Sequence, residues 1–219
     1  MGDQGGDTVG YSSDPRERVV IRPAPVDPTD GADDTLIFDN SDMYHLMNAA
    51  IAPRPVAWVS TISADGVPNL APHSYTTIFA TDPPTVGFVS VGRKDSLHNC
   101  EATGELVLNI AGQALLDQLN TTAANFPAGE DEFSWAGLTH VASDVVRPPR
   151  VGEVPVSFEG RVSQIVPIGN CTLVLAEVVR VHVAKDVWHD GRIDPRRIDP
   201  ILRLAGSMFA HMGETFNLP

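Results

Sequence analysis

The chain has 219 residues, of which 42% are hydrophobic and only 6% aromatic, so it can bury a substantial core built mainly from aliphatic side chains. Its 15 Lys and Arg residues against 28 Asp and Glu residues give a formal net charge of −13. A field of that sign repels phosphate backbones and anionic bilayers, which argues against nucleic acid or a membrane surface as the main partner. Binding of a single phosphate group would require a local cluster of basic residues.

The cysteines and the N-terminus carry no sign of secretion. Cys100 and Cys171 have no metal-ligand spacing, and two reduced thiols are expected rather than a structural disulfide. The first residues lack the basic start and apolar stretch of a secretory signal, and no apolar run approaches the roughly 20 residues of a membrane helix. We therefore expect a soluble, cytoplasmic protein.

The first 40 residues differ in composition from the rest. They are rich in Gly, Asp and Pro without periodicity, which predicts a flexible acidic arm over 1–40, with a short strand at 19–21. Residues 41–49 then place apolar side chains at helical spacing, which predicts a short helix. One domain is predicted over 41–219.

From Pro53 onward, segments typical of β-strands dominate. The Asp65-Gly66 dipeptide predicts a hairpin turn after a strand at 56–62. Asp95 is predicted to cap a helix at 96–103, a second helix is predicted at 114–122, and 126–150 is predicted to be a long loop. Further strands are predicted at 75–79, 86–91, 105–110, 154–168 and 172–184. This order favours a mainly β fold, an antiparallel barrel with a few peripheral helices, over a parallel βαβ sheet.

The common catalytic motifs are missing from the sequence. There is no GxGxxG, GxxxxGK[ST], GxSxG or HExxH, and the seven histidines form no metal-ligand spacing. A metalloenzyme and a hydrolase with a Ser-His-Asp triad therefore have little support. We predict no metal site and no side-chain catalytic dyad.

Three segments carry candidate binding chemistry. Arg93 and Lys94 precede the helix that Asp95 and Ser96 begin, where cations and free N–H groups suit a phosphate monoester, although a solvated loop is the commoner meaning of such a pair. Arg54 leads into the strand that ends at Ser60 and Thr61. These two hydroxyls point to opposite faces, so at most one meets a ligand, and either one is as well explained by bonds to the turn backbone.

The third segment is Asn69-Leu70-Ala71-Pro72-His73-Ser74-Tyr75. Its small residues would let the backbone approach a flat ring, while N–H groups and the Ser74 hydroxyl bond the ring edge. From spacing alone, an ordinary bulged strand is the more frequent meaning. Near the C-terminus, His211 is a further candidate for a ligand contact, with a surface position as the alternative. Trp58 and Phe88 are predicted to be packing residues.

In their order along the chain, these segments resemble the flavin reductase-like family of FMN-binding split β-barrel proteins. The resemblance is carried by the run RPVAWVSTISADGVPNLAPHSYTTIFATDPPTVGFVSVGRKDSLHNCEATGELVLNI, by NTTAANFPAGEDEF at 120–133 and by the closing stretch 191–219. It covers roughly 43–219. His73 departs from the family pattern, which often has an aromatic residue there, and Thr76 stands where an asparagine is usual.

The resemblance implies an FMN site and assigns residues to it. Near the flavin ring and ribityl chain it places Ser60, Thr61, Ala71, Pro72, His73 and Ser74. Near the phosphate it places Arg93, Lys94, Asp95 and Ser96, with Arg54 as a further cofactor-side residue. His211 is then the candidate for a nicotinamide-side or flavin-side contact. FMN carries its own redox centre, so the absence of a catalytic dyad fits this assignment.

Three functions are considered on this basis, and the first is favoured. The first is a flavin reductase that takes hydride from NADH or NADPH, acts as a homodimer and supplies a partner monooxygenase or another electron acceptor. The second is a non-catalytic FMN-binding electron carrier or flavin store. The third, more remote, is an oxidase of a small phosphorylated substrate, as in the pyridoxamine phosphate oxidases.

Overall fold

The computed structural model describes residues 16, 18–24, 35–124, 126–127 and 129–218. The chain divides into two compact units, Met1–Ala50 and Ile51–Pro219. Most of the predicted acidic arm lies outside the described residues, so its flexibility and its boundary at residue 40 stay predictions.

The first unit contains two short strands and one helix. Strands β1 (Val20–Pro23) and β2 (Thr35–Phe38) pair in parallel, with Val20 opposite Thr35. Helix α1 (Asn40–Ala50) follows, and the Asp39 carboxylate accepts a 2.8 Å hydrogen bond from the Asp42 N–H in its first turn. Such a bond satisfies one of the N–H groups that a helix start leaves unpaired.

The second unit is built on a seven-stranded sheet in the order β5-β4-β8-β11-β12-β7-β6, and every neighbouring pair is antiparallel. Its strands are β4 (Ala57–Ile62), β5 (Pro68–His73), β6 (Thr76–Thr81), β7 (Pro84–Val91), β8 (Glu105–Ile110), β11 (Val156–Ile168) and β12 (Cys171–Val183). The prediction of a mainly β, antiparallel architecture is confirmed.

Shorter elements surround this sheet. The strands are β3 (Arg54–Pro55), β9 (His140–Val141), β10 (Arg150–Val151), β13 (Trp188–His189), β14 (Arg192–Ile193), β15 (Leu202–Arg203) and β16 (Phe209–Ala210). They form the pairs β9–β10 and β13–β14 and the three-stranded sheet β16-β15-β3. The helices are α2 (Asp95–Thr103), α3 (Leu116–Thr121), α4 (Glu132–Ala136) and α5 (Pro195–Ile198), with a 3₁₀ turn at Gln113–Leu115.

The sheet is buried on both faces along β4, because successive side chains of a strand point to opposite sides. Ala57 and Val59 belong to one apolar cluster, which also contains Phe88 and residues of α2. Trp58 belongs to a second cluster with residues of α3 and α4. Trp58 and Phe88 are both fully buried, which confirms their predicted packing role.

Two sequence predictions of local structure are wrong. Helix α2 begins at Asp95 itself, with Lys94 in the N-cap position, so Asp95 does not cap it. The predicted loop at 126–150 contains α4, β9 and β10. Helix α4 spans only five residues, too few for a helical period to stand out, although the Asp131 carboxylate caps it and Gly137 ends it in the left-handed conformation at φ 65°.

No helix among the described residues is long and apolar enough to cross a bilayer.

Candidate functional site

A cavity of about 320 Å³ opens where β5 meets the first turn of α2 and the chain around α3 and α4. It is lined by Asn69, Ala71, Pro72, His73, Lys94, Asp95, Ser96, Thr122, Ala123, Ala124, Phe126 and Glu132. Six of the twelve residues assigned to the FMN site from the sequence are therefore neighbours here: Ala71, Pro72, His73, Lys94, Asp95 and Ser96. Polar groups lie mainly on the β5 and α2 walls.

The N-terminus of α2 gives the cavity a positive end. Lys94 is extended at φ −120° and ψ 166°, and no side chain of the described residues caps the first turn of the helix. Uncapped N–H groups at a helix start and the positive end of the helix dipole attract anions, and Lys94 adds a full positive charge to the same wall. The donor set fits a phosphate group, with Asp95 as an opposing charge beside it.

A chain of buried hydrogen bonds fixes this wall to the sheet. The Asn69 amide donates to Ser96 Oγ and to Thr61 Oγ1, each at 3.2 Å, and the Asn99 amide donates to Thr61 Oγ1 at 3.0 Å. His73 Nε2 lies 3.2 Å from Ser96 Oγ. All five residues are buried, so the position of the Ser96 hydroxyl is determined by β4, β5 and α2 together.

His73 is held neutral in the cavity wall. Burial, followed by the positive charge of Lys94, lowers its pKa to about 4, against a smaller opposite effect of a hydrogen bond to the Val89 backbone. Its ring packs against Phe88 with the ring centres 4.4 Å apart. At neutral pH this side chain therefore contributes a flat surface and an uncharged polar atom.

Glu132 brings a buried carboxyl group to the opposite wall. It is the first residue of α4, is 7% exposed, and its Oε2 accepts a 2.9 Å hydrogen bond from the Leu70 N–H. Burial raises the pKa of Glu132, and the negative charges of Asp95 and Asp131 raise it further; the Leu70 N–H opposes this only in part. The carboxyl therefore takes up a proton more readily than an exposed glutamate.

Four of the predicted FMN residues lie outside the cavity lining, and three of them make hydrogen bonds elsewhere. Ser60 Oγ donates to the Pro149 carbonyl, and Thr61 acts through Asn69 and Asn99 as described above. The Arg54 guanidinium donates to the Leu204 carbonyl at 2.7 Å and to the Ile51 carbonyl. Ser74 follows β5 directly and does not line the cavity.

The remaining two candidates are exposed. The Arg93 side chain is 70% exposed and pairs with Glu101 through two nitrogens, at 2.5 and 3.2 Å. His211 Nδ1 lies 3.4 Å from Asp199 Oδ1, and its side chain is 63% exposed. Neither lines the cavity, so their assignment to the cofactor stays a prediction.

Sequence reasoning did not assign six of the lining residues. Four of them, Thr122, Ala123, Ala124 and Phe126, together with Glu132, lie in the 120–133 segment that carries part of the family resemblance. The Thr122 side chain is held in place by the sheet, because its Oγ1 accepts a 2.8 Å hydrogen bond from the buried Trp58 indole of β4. Asn69, the sixth, lies in the β5 segment that the sequence did single out.

A second cluster of polar groups lies elsewhere in the sheet. Ligand atoms of Asp144, Glu159 and His182 lie within 4.8 Å of one another. The fully buried Glu159 carboxylate already accepts hydrogen bonds from the N–H groups of Asp144 and Val145, each at 2.7 Å, and of Val146 at 3.2 Å, and lies 2.6 Å from His182 Nε2. These bonds tie the 144–146 segment to β11.

Known proteins are similar to this chain in fold and, to a lesser degree, in sequence. The chain is 35% identical to nitrilotriacetate monooxygenase component B from Bacillus cereus, with a TM-score of 0.79 over 88% of this chain and 97% of that one. A protein with a split barrel domain from Shewanella frigidimarina superposes with a TM-score of 0.76 at 23% identity, over 83% and 93% of the two chains.

Among proteins compared by sequence, an NADH:FMN oxidoreductase of Rhodococcus erythropolis is 28% identical over 151 residues, which are 64% of this chain and 74% of that protein. The family model for the flavin reductase like domain matches residues 48–196. This match includes every cavity-lining residue. The chain therefore belongs to the flavin reductase-like family and has its split-barrel fold.

Proposed function

We propose that this protein binds FMN and reduces it with hydride from NADH or NADPH, in the cytoplasm, where both donors are available. The observation that carries the proposal is the uncapped N-terminus of α2, which meets Lys94 in the wall of a cavity that the family match covers. A phosphate monoester is the ligand chemistry that such a donor set favours.

In this proposal the chain positions the cofactor and takes no part in bond making. The N–H groups of the first turn of α2 and the Lys94 ammonium hold the phosphate, while the Ser96 hydroxyl, fixed by Asn69 and His73, offers a polar contact beside it. Ala71 and Pro72 present a wall without long side chains to the rest of the cofactor. The bound flavin supplies the redox centre that accepts hydride.

The predicted residues outside the cavity take supporting parts. Thr61 orients Asn69, and Ser60 fixes the chain at Pro149. We propose that four others reach the cofactor or the nicotinamide only when the site is occupied: Arg54, Ser74, Arg93 and His211.

We further propose that the reduced flavin serves a separate protein. The Bacillus cereus relative is named as component B of a monooxygenase, and this chain resembles it over nearly its full length. A homodimer that hands reduced FMN to an oxygenase component is the corresponding arrangement here.

The test is the visible absorption of the purified protein with FMN before and after anaerobic addition of NADH or NADPH. Loss of the oxidised flavin bands within seconds supports a reductase and identifies its donor. Bound flavin that loses these bands only with dithionite would replace the proposal with an electron carrier or flavin store. A protein that binds no FMN overturns the assignment altogether.

A further inference from the structure

The described walls of the cavity hold more negative than positive charge, although the proposed ligand is an anion. Lys94 is the cation that lines it, whereas Asp95 and Glu132 both bring carboxyl groups, and His73 is uncharged at neutral pH. The phosphate of FMN carries up to two negative charges, with a second pKa of about 6. Its arrival beside two ionised carboxylates would leave an uncompensated negative charge in a partly buried space.

Of the two carboxyl groups, Glu132 is the one placed to become neutral. Asp95 lies in the first turn of α2, at the positive end of the helix dipole. Glu132 is 7% exposed and faces the negative charges of Asp95 and of Asp131 at the start of its own helix, and its pKa is already raised.

Among the described residues, Lys94 is the one lysine or arginine that lines the cavity, and His140 of β9 lies 3.2 Å from Asp131 Oδ1 and does not line it. Strand β5, which packs against α4, contributes His73, which is neutral, and α3 contributes Asp117, which is a further acid. Farther along α2, His98 does not line the cavity, and Glu101 is engaged by Arg93.

We propose that Glu132 contacts FMN as a neutral carboxylic acid. The protein then takes up one proton, on Glu132, for each molecule of FMN that binds. Oε2 keeps the hydrogen bond from the Leu70 N–H, and the protonated carboxyl donates toward the ligand, where a carboxylate would repel it. This inference rests on the proposed binding of FMN and adds to it a residue and a proton.

The measurement is calorimetric titration of the full chain with FMN at several pH values from about 6 to 9, each in two buffers of different ionisation enthalpy. At and above about pH 8 the phosphate is a dianion on both sides of the reaction, so it does not contribute protons. We expect proton uptake that approaches one per FMN, and an affinity that falls by up to about tenfold per pH unit once the pH exceeds the pKa of Glu132 in the free protein.

Glu132→Gln isolates the residue, because the amide oxygen can still accept from the Leu70 N–H while the side chain no longer titrates. The uptake and the pH dependence should both diminish in this variant. Glu130→Gln is the matched control: this neighbour is exposed, bonds to the Trp135 indole and does not line the cavity, so it should behave as the parent does.

The outcomes separate this inference from the function on which it rests. FMN that binds without proton uptake in the parent protein overturns the inference and leaves the function standing, as does uptake that is equal in Glu132→Gln. A parent protein that binds no FMN overturns both. If the variant does not fold, FMN binding by the parent without proton uptake still overturns the inference.

Discussion

At the scale of single residues, the two basic side chains that precede α2, Arg93 and Lys94, differ in their surroundings. Only Lys94 lines the cavity, whereas Arg93 is exposed and paired with Glu101. We expect Lys94→Ala to weaken FMN binding by about 10- to 100-fold, because one charge-assisted contact contributes about 1.5–3 kcal/mol. Arg93→Ala should weaken it less.

The control for that charge is Lys185→Ala, since the chain has one other lysine and its side chain is exposed in a turn. Calorimetric titration of the three variants with FMN checks the order. Equal losses in Lys94→Ala and Lys185→Ala would mean that the phosphate binds elsewhere or responds only to net charge.

Glu159 is a second residue whose role is open to measurement. Burial alone would raise its pKa, but the hydrogen bonds from the 144–146 backbone and from His182 lower it below the ordinary value of 4.5. In Glu159→Gln an amide NH₂ would face donors that now point at a carboxylate oxygen. We expect a loss of about 3 kcal/mol in the free energy of unfolding at neutral pH.

The pH dependence of that loss follows from the direction of the shift. A carboxylate whose pKa is lowered on folding stabilises the protein fully above about 4.5, and this stabilisation disappears as the pH falls through the lowered value. The parent and the variant should therefore converge on acidification in urea unfolding curves. Glu153→Gln, whose exposed carboxylate accepts from the Thr139 N–H, is the control and should change little.

At the scale of elements, β7 pairs with β12 and β6 and has a glycine, Gly87, where a larger residue would clash with both neighbours. A Cβ on Gly87 would lie 2.6 Å from the Val174 carbonyl oxygen of β12 and 2.9 Å from the Phe79 ring of β6. We expect Gly87→Ala to destabilise the protein by about 1–3 kcal/mol, because the crowding involves backbone as well as a ring. Thermal unfolding checks this, with Gly213→Ala as the control, since a Cβ there meets no described atom within 4 Å.

The elements differ in how far their sequence alone predicts them. The long strands β11 and β12 stand out because their β-branched and apolar runs are bounded by the tight turn at Gly169. Helix α4 could not be found in this way, because five residues are shorter than two helical turns and its burial comes from packing against β5.

The candidate site, like the fold, could be predicted only where its residues lie in segments with a recognisable sequence pattern. Its β5 and α2 walls lie in segments with recognisable composition, whereas Glu132 enters through α4. Thr61 and Ser60 were expected on opposite faces, and their partners, Asn69 and Pro149, belong to different parts of the fold. Only three-dimensional packing tells which hydroxyl supports the cavity.

At the scale of the whole molecule, the edge strand of the main sheet exposes apolar side chains to solvent. In β6, the last strand of the sheet order, Ile78 is 71% exposed and Phe79 43%. A strand at the end of a sheet with exposed apolar residues is a common site of association. This surface supports the homodimer that the family resemblance implies.

Light scattering should then give a mass of about twice 23.5 kDa for the parent chain. Ile78→Lys should shift the protein toward the monomer, because it places a charge at the apolar edge. Ile168→Lys, at the turn between β11 and β12 and also exposed, is the control and should leave the mass unchanged. A parent protein that is monomeric at all concentrations would contradict the expectation.

The hydrogen bond from the buried Trp58 indole to Thr122 has an optical consequence. Thr122 lines the cavity, so the Trp58 indole is hydrogen-bonded to a residue of the cavity wall. Its fluorescence should therefore respond to a bound ligand. Trp135 lies nearby as well, with its ring centre 5.7 Å from that of the cavity-lining Phe126. Because oxidised flavin absorbs where indole emits, quenching of these two tryptophans would report occupancy of the site without any label. Trp188→Phe would remove the third tryptophan, which does not line the cavity.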